Sequence, residues 1–210
     1  MISPDDQKLK DGLVLPLMEL FYTLQGEGFH TGEAAIFIRI GGCDVGCSWC
    51  DVKESWDPSL HPLTAVEEII NQASAYPSPN VVITGGEPLL YNLGPLCEGL
   101  KNLGLHTFLE TSGSEELSGD WDWICLSPKK NALPLPSVYQ HAHELKVIIQ
   151  VPEDLNDAET YAASVSEHCK RYLQPEWSHR KEITPHIVDF IGSHPEWKLS
   201  LQVHKYIGIP

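Results

Sequence analysis

Three cysteines in one short loop constrain this chain more than any other feature of its sequence. Cys43, Cys47 and Cys50 are spaced C-x3-C-x2-C and directly follow an apolar run, residues 34–40, that is typical of a buried strand. A tight loop at the end of a strand can turn three thiolates toward one metal centre. Because no histidine stands at a partner spacing nearby, an iron–sulfur cluster with one open iron suits the loop better than a four-ligand zinc site. Zinc and unligated thiols remain alternatives.

Length and charge limit the classes of protein to which the chain can belong. The 210 residues and an ordinary apolar fraction predict one domain over residues 1–210. A formal net charge of −15 argues against nucleic-acid or anionic-membrane partners, since both need a basic surface. The N-terminus has no apolar signal core, and a metal-type thiol loop needs a reducing compartment, so we expect a cytoplasmic protein. Cys97, Cys125 and Cys169 are scattered and should be buried small side chains.

Strand-like and helix-like segments alternate along the chain. The pattern predicts strands over residues 17–23, 34–40, 80–84, 106–110, 121–126, 144–151, 171–174 and 199–204, and helices over 63–73 (Thr64 as N-cap), 93–103, 157–169 and 183–191, after a loose segment 1–15. Such alternation predicts βαβ crossovers and a mostly parallel sheet. There is no GxGxxG fingerprint of a dinucleotide-binding fold. We therefore expect an α/β protein with a curved sheet that forms an incomplete (β/α) barrel.

Polar side chains follow most of these predicted strands. In a parallel barrel the carboxyl ends of the strands share one rim, and that rim carries the active site. Each short polar segment alone is typical of a turn. Together with the cysteine loop, they predict one site at the rim, and the segments are Gln25 and Glu27, Thr84–Glu87, Glu110, Ser127–Lys129 and Gln174–Glu176.

The motifs resemble those of a known superfamily. The cysteine spacing, with Trp49 before the last cysteine, and the Gly85-Gly86-Glu87-Pro88 segment are similar to the radical S-adenosylmethionine superfamily. Within it, several segments resemble the family of 7-carboxy-7-deazaguanine synthases of the queuosine and 7-deazapurine pathway. These segments are Leu24-Gln-Gly-Glu-Gly28, Phe37-Ile-Arg-Ile-Gly-Gly-Cys43, Cys50-Asp51, Glu110-Thr111, Ser127-Pro-Lys129 and residues 200–210.

The resemblance implies a radical mechanism with two cofactors. The three cysteines would hold a [4Fe–4S] cluster whose open iron binds S-adenosylmethionine, and an electron donor that the sequence does not identify would reduce the cluster. The resemblance also implies a homodimer. It places around S-adenosylmethionine the residues Trp49, Gly86, Glu110, Ser127, Pro128, Lys129, Gln174, Pro175, Glu176 and Trp177.

The family's substrate is 6-carboxy-5,6,7,8-tetrahydropterin, a small molecule that a carbon–nitrogen lyase reaction converts to 7-carboxy-7-deazaguanine with loss of ammonia. Arg39 matches a need for a forked cation on the substrate carboxylate. The amino and amide edge of the pterin would contact Leu24, Gln25, Gly26, Glu27 and Thr84. The carboxylate of Pro210 would accept hydrogen bonds from the substrate, and His204 is a further candidate contact in the final strand.

One position departs from the family pattern. The family commonly has Cys-Asp-Thr, and the threonine hydroxyl binds Mg²⁺, whereas this chain has Cys50-Asp51-Val52. Because valine has no oxygen, it cannot bind a hard cation. The metal is then absent, or water or another oxygen replaces the hydroxyl, and we expect weakened magnesium dependence.

Two other functions share part of this evidence. A radical S-adenosylmethionine activase that places a glycyl radical on a partner protein would share the cysteine loop but would not need Gln25, Glu27, Arg39 or Pro210. A non-catalytic module stabilised by zinc would use the same thiols and would be colourless. Binding of a pterin would distinguish the synthase from the activase, and iron content would distinguish it from the zinc module.

Overall fold

The computed structural model describes residues 3–210 and consists of a nine-stranded sheet with helices packed on its outer side. The strands are β1 (Val14–Leu24), β2 (Ala34–Ile40), β3 (Leu63–Ala65), β4 (Asn80–Gly85), β5 (His106–Thr111), β6 (Trp123–Leu126), β7 (Glu144–Ile149), β8 (Lys170–Pro175) and β9 (Trp197–Leu199). The helices are α1 (Pro4–Lys10), α2 (Val66–Ala73), α3 (Gly94–Asn102), α4 (Pro136–His141), α5 (Asp154–Ala162), α6 (Arg180–Ser193) and α7 (Val203–Ile207).

The sheet confirms the predicted incomplete barrel. Its strand order is β3-β1-β2-β4-β5-β6-β7-β8-β9, and β3 and β9 are edges that do not pair with each other. Strand β1 is antiparallel to β2 and to β3, whereas each pairing from β2–β4 onward is parallel. The carboxyl ends of seven successive strands, β2 and β4–β9, therefore point to one rim.

Alternation along the strands divides the core. Ile36, Ile38 and Ile40 of β2 face the helices, in a cluster that also contains residues of α2 and α3. Further along the sheet, a second cluster joins β7 and β8 to α4, α5 and α6. The residues between those positions point into the barrel, where Phe37 packs with Ala35 and Val82. Both faces of the parallel strands are covered, which explains their nearly continuous apolar runs.

The N-terminal part of the sequence was predicted incorrectly in two places. Residues 4–10 form helix α1, and Ser3 and Asp6 make a capping box at its start, so the predicted loose segment is wrong there. Met1 and Ile2, also assigned to that segment, lie outside the described residues. Residues 63–65 form a strand that pairs with β1, so the helix begins at Val66 with Ala65 as N-cap rather than Thr64. Pairing with β1 outweighs the local capping pattern.

Two predictions near the C-terminus are also wrong. Helix α5 covers 154–162 instead of 157–169 and begins where Asp154 accepts hydrogen bonds from the backbone N–H groups of Gln150 and Val151. The predicted final strand over 199–204 is replaced by β9, which ends at Leu199, and by helix α7. Beyond β9, the Ser200 N–H still donates to the Leu173 carbonyl of β8, but the chain then leaves the sheet.

The scattered cysteines behave as predicted: Cys97, Cys125 and Cys169 are buried. Within residues 3–210, no helix has the length and apolar character needed to cross a bilayer.

Candidate active site

A cavity of about 390 Å³ opens at the rim where the parallel strands end. Its volume lies in the range of small-molecule sites. Every residue that the sequence nominated for the site lines this cavity, with the exception of Pro128. The predicted convergence of these residues on one cavity is therefore confirmed. Gln25 and Glu27 do not lie at the rim as predicted, because β1 is antiparallel to β2 and ends beside the start of that strand. The role of each residue stays a prediction.

The three cysteines form one wall of the cavity. Cys43, Cys47 and Cys50 are free, partly buried thiols, and burial raises the pKa of Cys43 and of Cys47 above the ordinary thiol value. In residues 3–210, no group of three or more His, Cys, Asp or Glu side chains is arranged around a single metal position. A [4Fe–4S] cluster binds each thiolate to a different iron, so it does not require that arrangement. Three soft donors on the wall of a ligand-sized cavity fit the cluster.

Gly86 allows the end of β4 to pack directly against the cysteine loop. A Cβ atom at Gly86 would lie 2.0 Å from the carbonyl oxygen of Gly42 and 2.8 Å from the Cβ of Cys43. The adjacent Glu87 N–H donates to that same Gly42 carbonyl at 2.8 Å. Glycine is required here because a larger residue would push the cysteine loop away from the sheet.

Glu87 joins the ends of two neighbouring strands. Its buried carboxylate accepts hydrogen bonds from the Thr111 hydroxyl (2.5 Å) and from the N–H and hydroxyl of Ser112 (2.8 and 2.5 Å). The loop after β4 is therefore attached to the loop after β5. Glu87 belongs to a sequence motif nominated for the site, but its carboxylate binds Thr111 and Ser112 and joins two loops of the protein.

The Ser127–Lys129 turn places a cation beside the cysteine loop. The Lys129 ammonium donates to the carbonyl and the hydroxyl of Ser127 at 2.5 and 2.7 Å, and lies 5.7 Å from the ring centroid of Trp49. Burial lowers the pKa of Lys129. This geometry brings the three predicted cofactor contacts together.

Four polar residues form a ring of hydrogen bonds and ion pairs inside the barrel, which we call the floor ring: Gln25, Glu27, Glu110 and Lys146. The Lys146 ammonium lies 2.5 Å from Glu27 Oε2 and 3.5 Å from Glu110 Oε2. The Gln25 amide closes the ring, because its Nε2 donates to Glu110 Oε1 (2.9 Å) and its Oε1 accepts from the Glu27 N–H (3.0 Å). All four line the cavity.

Electrostatics keep Glu27 charged. Burial alone would raise the pKa of Glu27, but the Lys146 ammonium and hydrogen bonds from Lys146, Gln202 and Gln174 outweigh it and lower the pKa to about 2. The carboxylates of the ring and of Glu144 conversely raise the pKa of Lys146 despite its burial. The sequence offered one signal for Lys146, a charge within the apolar strand β7, but that signal did not reveal its partners.

The opposite end of the barrel is closed by aromatic rings. Phe29 stacks on Trp123 at 4.8 Å and His30 stacks on Phe108 at 4.6 Å between ring centroids. Glu144 lies above this layer, and its Oε2 accepts from the Phe29 N–H and the Trp123 indole, both at 3.2 Å. Burial raises the pKa of Glu144. The layer leaves the rim as the way into the barrel.

Arg39 and Thr84 are neighbours on β2 and β4 in the parallel register. The Nε of Arg39 donates to Glu19 at 2.7 Å, and its terminal nitrogens make no hydrogen bond to other residues in 3–210. These nitrogens have the fork geometry that binds a carboxylate through two parallel bonds. Arg39 therefore remains a suitable group for an anionic ligand in the cavity.

The C-terminal strap, residues 200–210, lies along the cavity. Gln202 donates to Glu27 (2.9 Å) and to Asp51 (3.2 Å), while the Lys205 ammonium contacts Asp51 at 2.5 Å. The sequence missed Gln202 and Lys205, although both belong to the segment that resembles the family.

His204 and Pro210 of the strap also line the cavity. His204 belongs to helix α7 and not to a strand, and a Cβ at Gly26 would lie 2.2 Å from its Nδ1. Burial lowers the pKa of His204. His204 lines the cavity, but its predicted place in a strand is wrong, and its contact with a substrate stays a prediction.

Gln174 lies near the end of β8, and the loop that follows this strand begins with Glu176 and Trp177. Gln174 Oε1 accepts from the Ser200 hydroxyl at 2.7 Å, which holds the start of the strap. Burial would raise the pKa of Glu176, but hydrogen bonds from Ser178 and His179 outweigh it and lower the pKa to about 2. The Glu176 carboxylate is therefore occupied by these donors, and the neighbouring Trp177, whose ring centroid lies 3.8 Å from the Arg180 guanidinium, also lines the cavity.

Val52 lines the cavity without supplying an oxygen from its side chain. Its carbonyl accepts from the Ser55 hydroxyl at 2.7 Å. The neighbouring Asp51 carboxylate is paired with Lys205. The Val52 carbonyl and one Asp51 carboxylate oxygen, Oδ2, are therefore already engaged by protein donors.

Comparisons with known proteins agree with this geometry. A model of the radical SAM superfamily matches residues 37–124. A 7-carboxy-7-deazaguanine synthase from Flavobacterium psychrophilum is 54% identical over 202 residues, which is 96% of this chain and 96% of that protein. A 7-carboxy-7-deazaguanine synthase from Synechocystis sp. is 50% identical over 194 residues, 92% of this chain and 93% of that protein.

A solved structure shares the fold. The crystal structure of QueE from Escherichia coli superposes with a TM-score of 0.81 at 30% sequence identity, and the match covers 97% of this chain and 100% of that one. With relatives of this identity over nearly its whole length, the chain belongs to the 7-carboxy-7-deazaguanine synthase family of the radical S-adenosylmethionine superfamily.

Proposed function

We propose that this chain converts 6-carboxy-5,6,7,8-tetrahydropterin to 7-carboxy-7-deazaguanine with loss of ammonia. One observation carries the proposal: a wall of three cysteines and a floor of carboxylates and amides face the same cavity. The wall suits a cluster that activates S-adenosylmethionine, and the floor suits an amino and amide edge. The names of the relatives support the same reaction.

In this proposal, the residues of the chain bind the cofactors and the substrate and orient them for the reaction. When bound, the cluster and S-adenosylmethionine supply the radical that removes hydrogen from the substrate. Cys43, Cys47 and Cys50 would hold the cluster, and Gly86 lets the end of β4 pack against the loop that carries these cysteines. The aromatic layer at the far end of the barrel excludes water from the reacting groups.

The substrate is held by groups of opposite character at its two ends. Arg39 takes the carboxylate, while Gln25 and Glu27 accept hydrogen bonds from the amino and amide edge. Further residues that line the cavity complete the surface, namely Leu24, Gly26, Thr84, His204 and Pro210. This polarity fixes which carbon of the ring lies nearest the cysteine wall.

We also propose that the residues which the family resemblance places around S-adenosylmethionine contact this cofactor or shape its site. Trp49, Lys129 and Trp177 supply aromatic and cationic surface near the cysteines, and Ser127 positions Lys129. Glu110 contributes through the floor ring. Gln174, Pro175 and Glu176 contribute through their place in the cavity wall, and Pro128 acts only by shaping its turn.

Magnesium dependence should be weak. Val52 supplies no oxygen, and Asp51 is engaged by Lys205. We expect added Mg²⁺ to change the rate by no more than about twofold, and Val52→Thr to create a larger dependence. Rates measured with and without Mg²⁺ test this. A wild-type rate that collapses without Mg²⁺ would show that another oxygen replaces the hydroxyl.

The cellular setting follows from the chemistry. Cluster reduction needs an electron donor, and free thiols need a reducing compartment, which supports a cytoplasmic protein. A homodimer is the arrangement implied by the family resemblance. The glycyl-radical activase and the zinc module are the weaker candidates, because neither accounts for the floor ring and the relatives carry the synthase name.

The decisive experiment is an anaerobic assay of the reconstituted protein. The protein is loaded with iron and sulfide, then incubated with dithionite, S-adenosylmethionine and 6-carboxytetrahydropterin, and products are identified by mass. We expect 7-carboxy-7-deazaguanine, lost in Cys43→Ala and retained in the buried control Cys169→Ala. Cleavage of S-adenosylmethionine without conversion of the pterin would reject the substrate, and a colourless protein containing zinc would reject the chemistry.

A further inference from the structure

The floor ring contains one cation for two carboxylates. Among residues 3–210, Lys146 is the one cationic side chain within ion-pair distance of Glu27 or Glu110. Only 5% of its side-chain surface is exposed, against 16% for Glu27 and 25% for Glu110. Water therefore does little to screen the two carboxylates from each other, and the ammonium that pairs with both offsets one of their two negative charges.

The ring spans the barrel from one side to the other. Gln25 and Glu27 follow β1, Glu110 lies on β5, and Lys146 lies on β7. Strands β1 and β7 are separated in the sheet by β2, β4, β5 and β6. Because a β7 side chain holds a carboxylate that enters from the β1 loop, the position of Glu27 depends on a contact across the interior.

Loss of this cation would change what the floor offers to a ligand. An ionised carboxylate only accepts hydrogen bonds, whereas a protonated one also presents an O–H donor. Two carboxylates without a cation repel each other, and one of them binds a proton or turns away. The amino and amide edge of the pterin, which donates hydrogen bonds, would then face another donor or an empty space instead of an acceptor.

We propose that Lys146 is a positioning residue for the pterin: it keeps Glu27 ionised and directed into the cavity, so that the amino and amide edge binds in one orientation. This inference rests on the proposed function. It assigns to Lys146 no contact with the reacting atoms. Its effect passes through Glu27, and the orientation it imposes decides whether the reacting C–H lies next to the cysteine wall.

Binding of 6-carboxypterin, a fluorescent and unreactive relative of the substrate, tests the proposal directly. We expect Lys146→Met to weaken its affinity roughly tenfold to a hundredfold, in the reconstituted and in the cluster-free protein alike. Affinity for S-adenosylmethionine should change little. The matched control is Lys101→Met, since Lys101 also pairs with two carboxylates, Asp120 (2.7 Å) and Asp122 (3.4 Å), away from the cavity.

A double-mutant cycle separates positioning from a general structural role. If Lys146 acts through Glu27, then Glu27→Gln and the double variant with Lys146→Met should bind 6-carboxypterin equally weakly. In turnover, Lys146→Met should raise the KM for the pterin and increase the 5′-deoxyadenosine released per molecule of product. If the Met variant does not fold, Lys146→Gln, which keeps a donor without the charge, takes its place.

The outcomes are distinct from those that test the proposed function. Unchanged 6-carboxypterin affinity in Lys146→Met, or fully additive losses with Glu27→Gln, overturns the role of Lys146 while the reaction stands. A wild-type protein that binds 6-carboxypterin but forms no 7-carboxy-7-deazaguanine overturns the proposed function, and the affinity ratios still decide whether Lys146 orients the ligand.

Discussion

The cysteine loop and the C-terminal strap both line the cavity, but they are attached to the fold in different ways. The loop is held through its backbone: Gly42 N–H donates to the Ser55 carbonyl at 2.6 Å, and its own carbonyl accepts from the Glu87 N–H. The strap is held through backbone and side chains together, since the Val203 N–H donates to the Gly26 carbonyl at 2.9 Å while the Gln202 and Lys205 side chains bind Glu27 and Asp51. In the cysteine loop, backbone groups attach the loop to the fold and side chains line the cavity. In the strap, the same side chains do both.

This difference predicts different sensitivities. Backbone anchoring leaves the three thiols free for a cluster, so most side-chain changes outside the cysteines should leave the loop in place. In the strap, one side chain both fixes the chain and shapes the floor of the cavity. Changes there should affect the pterin end of the site while iron content remains.

The largest expected effect comes from filling the space that the cysteine loop uses. In Gly86→Ala, the new Cβ would meet the Gly42 carbonyl at 2.0 Å, and a backbone atom cannot move away cheaply. We expect a loss of about 4 kcal/mol in the free energy of unfolding, with reduced iron after reconstitution. Denaturant unfolding and iron analysis measure both.

Gly192→Ala is the matched control for Gly86→Ala. Nothing lies within 4 Å of a Cβ at Gly192, which is inside helix α6. Alanine should raise the free energy of unfolding by about 0.5–1 kcal/mol there, because glycine is a poor helix former. A Gly86→Ala protein with normal stability and full iron would show that the loop is not held by this backbone contact.

The same difference explains what could be predicted from the sequence. The cysteine spacing and the buried strand before it are local, and polar residues at the ends of parallel strands, such as Glu110, need only that topology to converge. These features could be predicted from the sequence. Gln25 and Glu27 could not be placed in this way, because they follow the antiparallel strand β1 and reach the cavity from the opposite end of the sheet. Helix α7 was misread because its place depends on Gly26, whose carbonyl accepts from the Val203 N–H at 2.9 Å.

Long-range pairs account for the other errors. Thr64 looks like a helix cap until β3 pairs with β1, some 50 residues earlier in the chain. Lys146 looks like either a surface lysine or a rim group until Glu27 is placed beside it, 119 positions away. A single sequence does not show that β3 pairs with β1 or that Lys146 pairs with Glu27. The floor ring and the contacts of the strap are therefore visible only in the structure.

A smaller effect is expected where the strap contacts the floor. The pKa of Glu27 is lowered from 4.5 to about 2, so its charge contributes stability that is present above pH 4.5 and is lost as the pH falls toward 2. Glu27→Gln should therefore lower the free energy of unfolding by about 2 kcal/mol at pH 7, and the gap to wild type should narrow across that acid range.

Urea unfolding of both proteins at several pH values between 2 and 7 measures this gap. Iron content should be unchanged, in contrast with Gly86→Ala. Glu167→Gln is the control, because the Glu167 side chain is 87% exposed and its loss should change the free energy of unfolding by less than about 0.5 kcal/mol. A gap that widens in acid would contradict the pairing with Lys146.

The smallest effect is expected where the strap and the cysteine loop meet. The Lys205 ammonium contacts Asp51, which follows Cys50, but the Asp51 side chain is 52% exposed. Solvent screens such a pair, so Lys205→Met should lower the free energy of unfolding by about 1 kcal/mol or less. In 1 M salt, where the screening length is only about 3 Å, most of that difference should disappear.

The control is Lys8→Met. The Lys8 ammonium lies 3.9 Å from Asp5, and both side chains are more than half exposed. Thermal unfolding at low and high salt compares the two variants. A large loss that salt does not reduce, together with lost iron, would mean that the loop depends on the strap, and the separation between backbone and side-chain anchoring would fail at this contact.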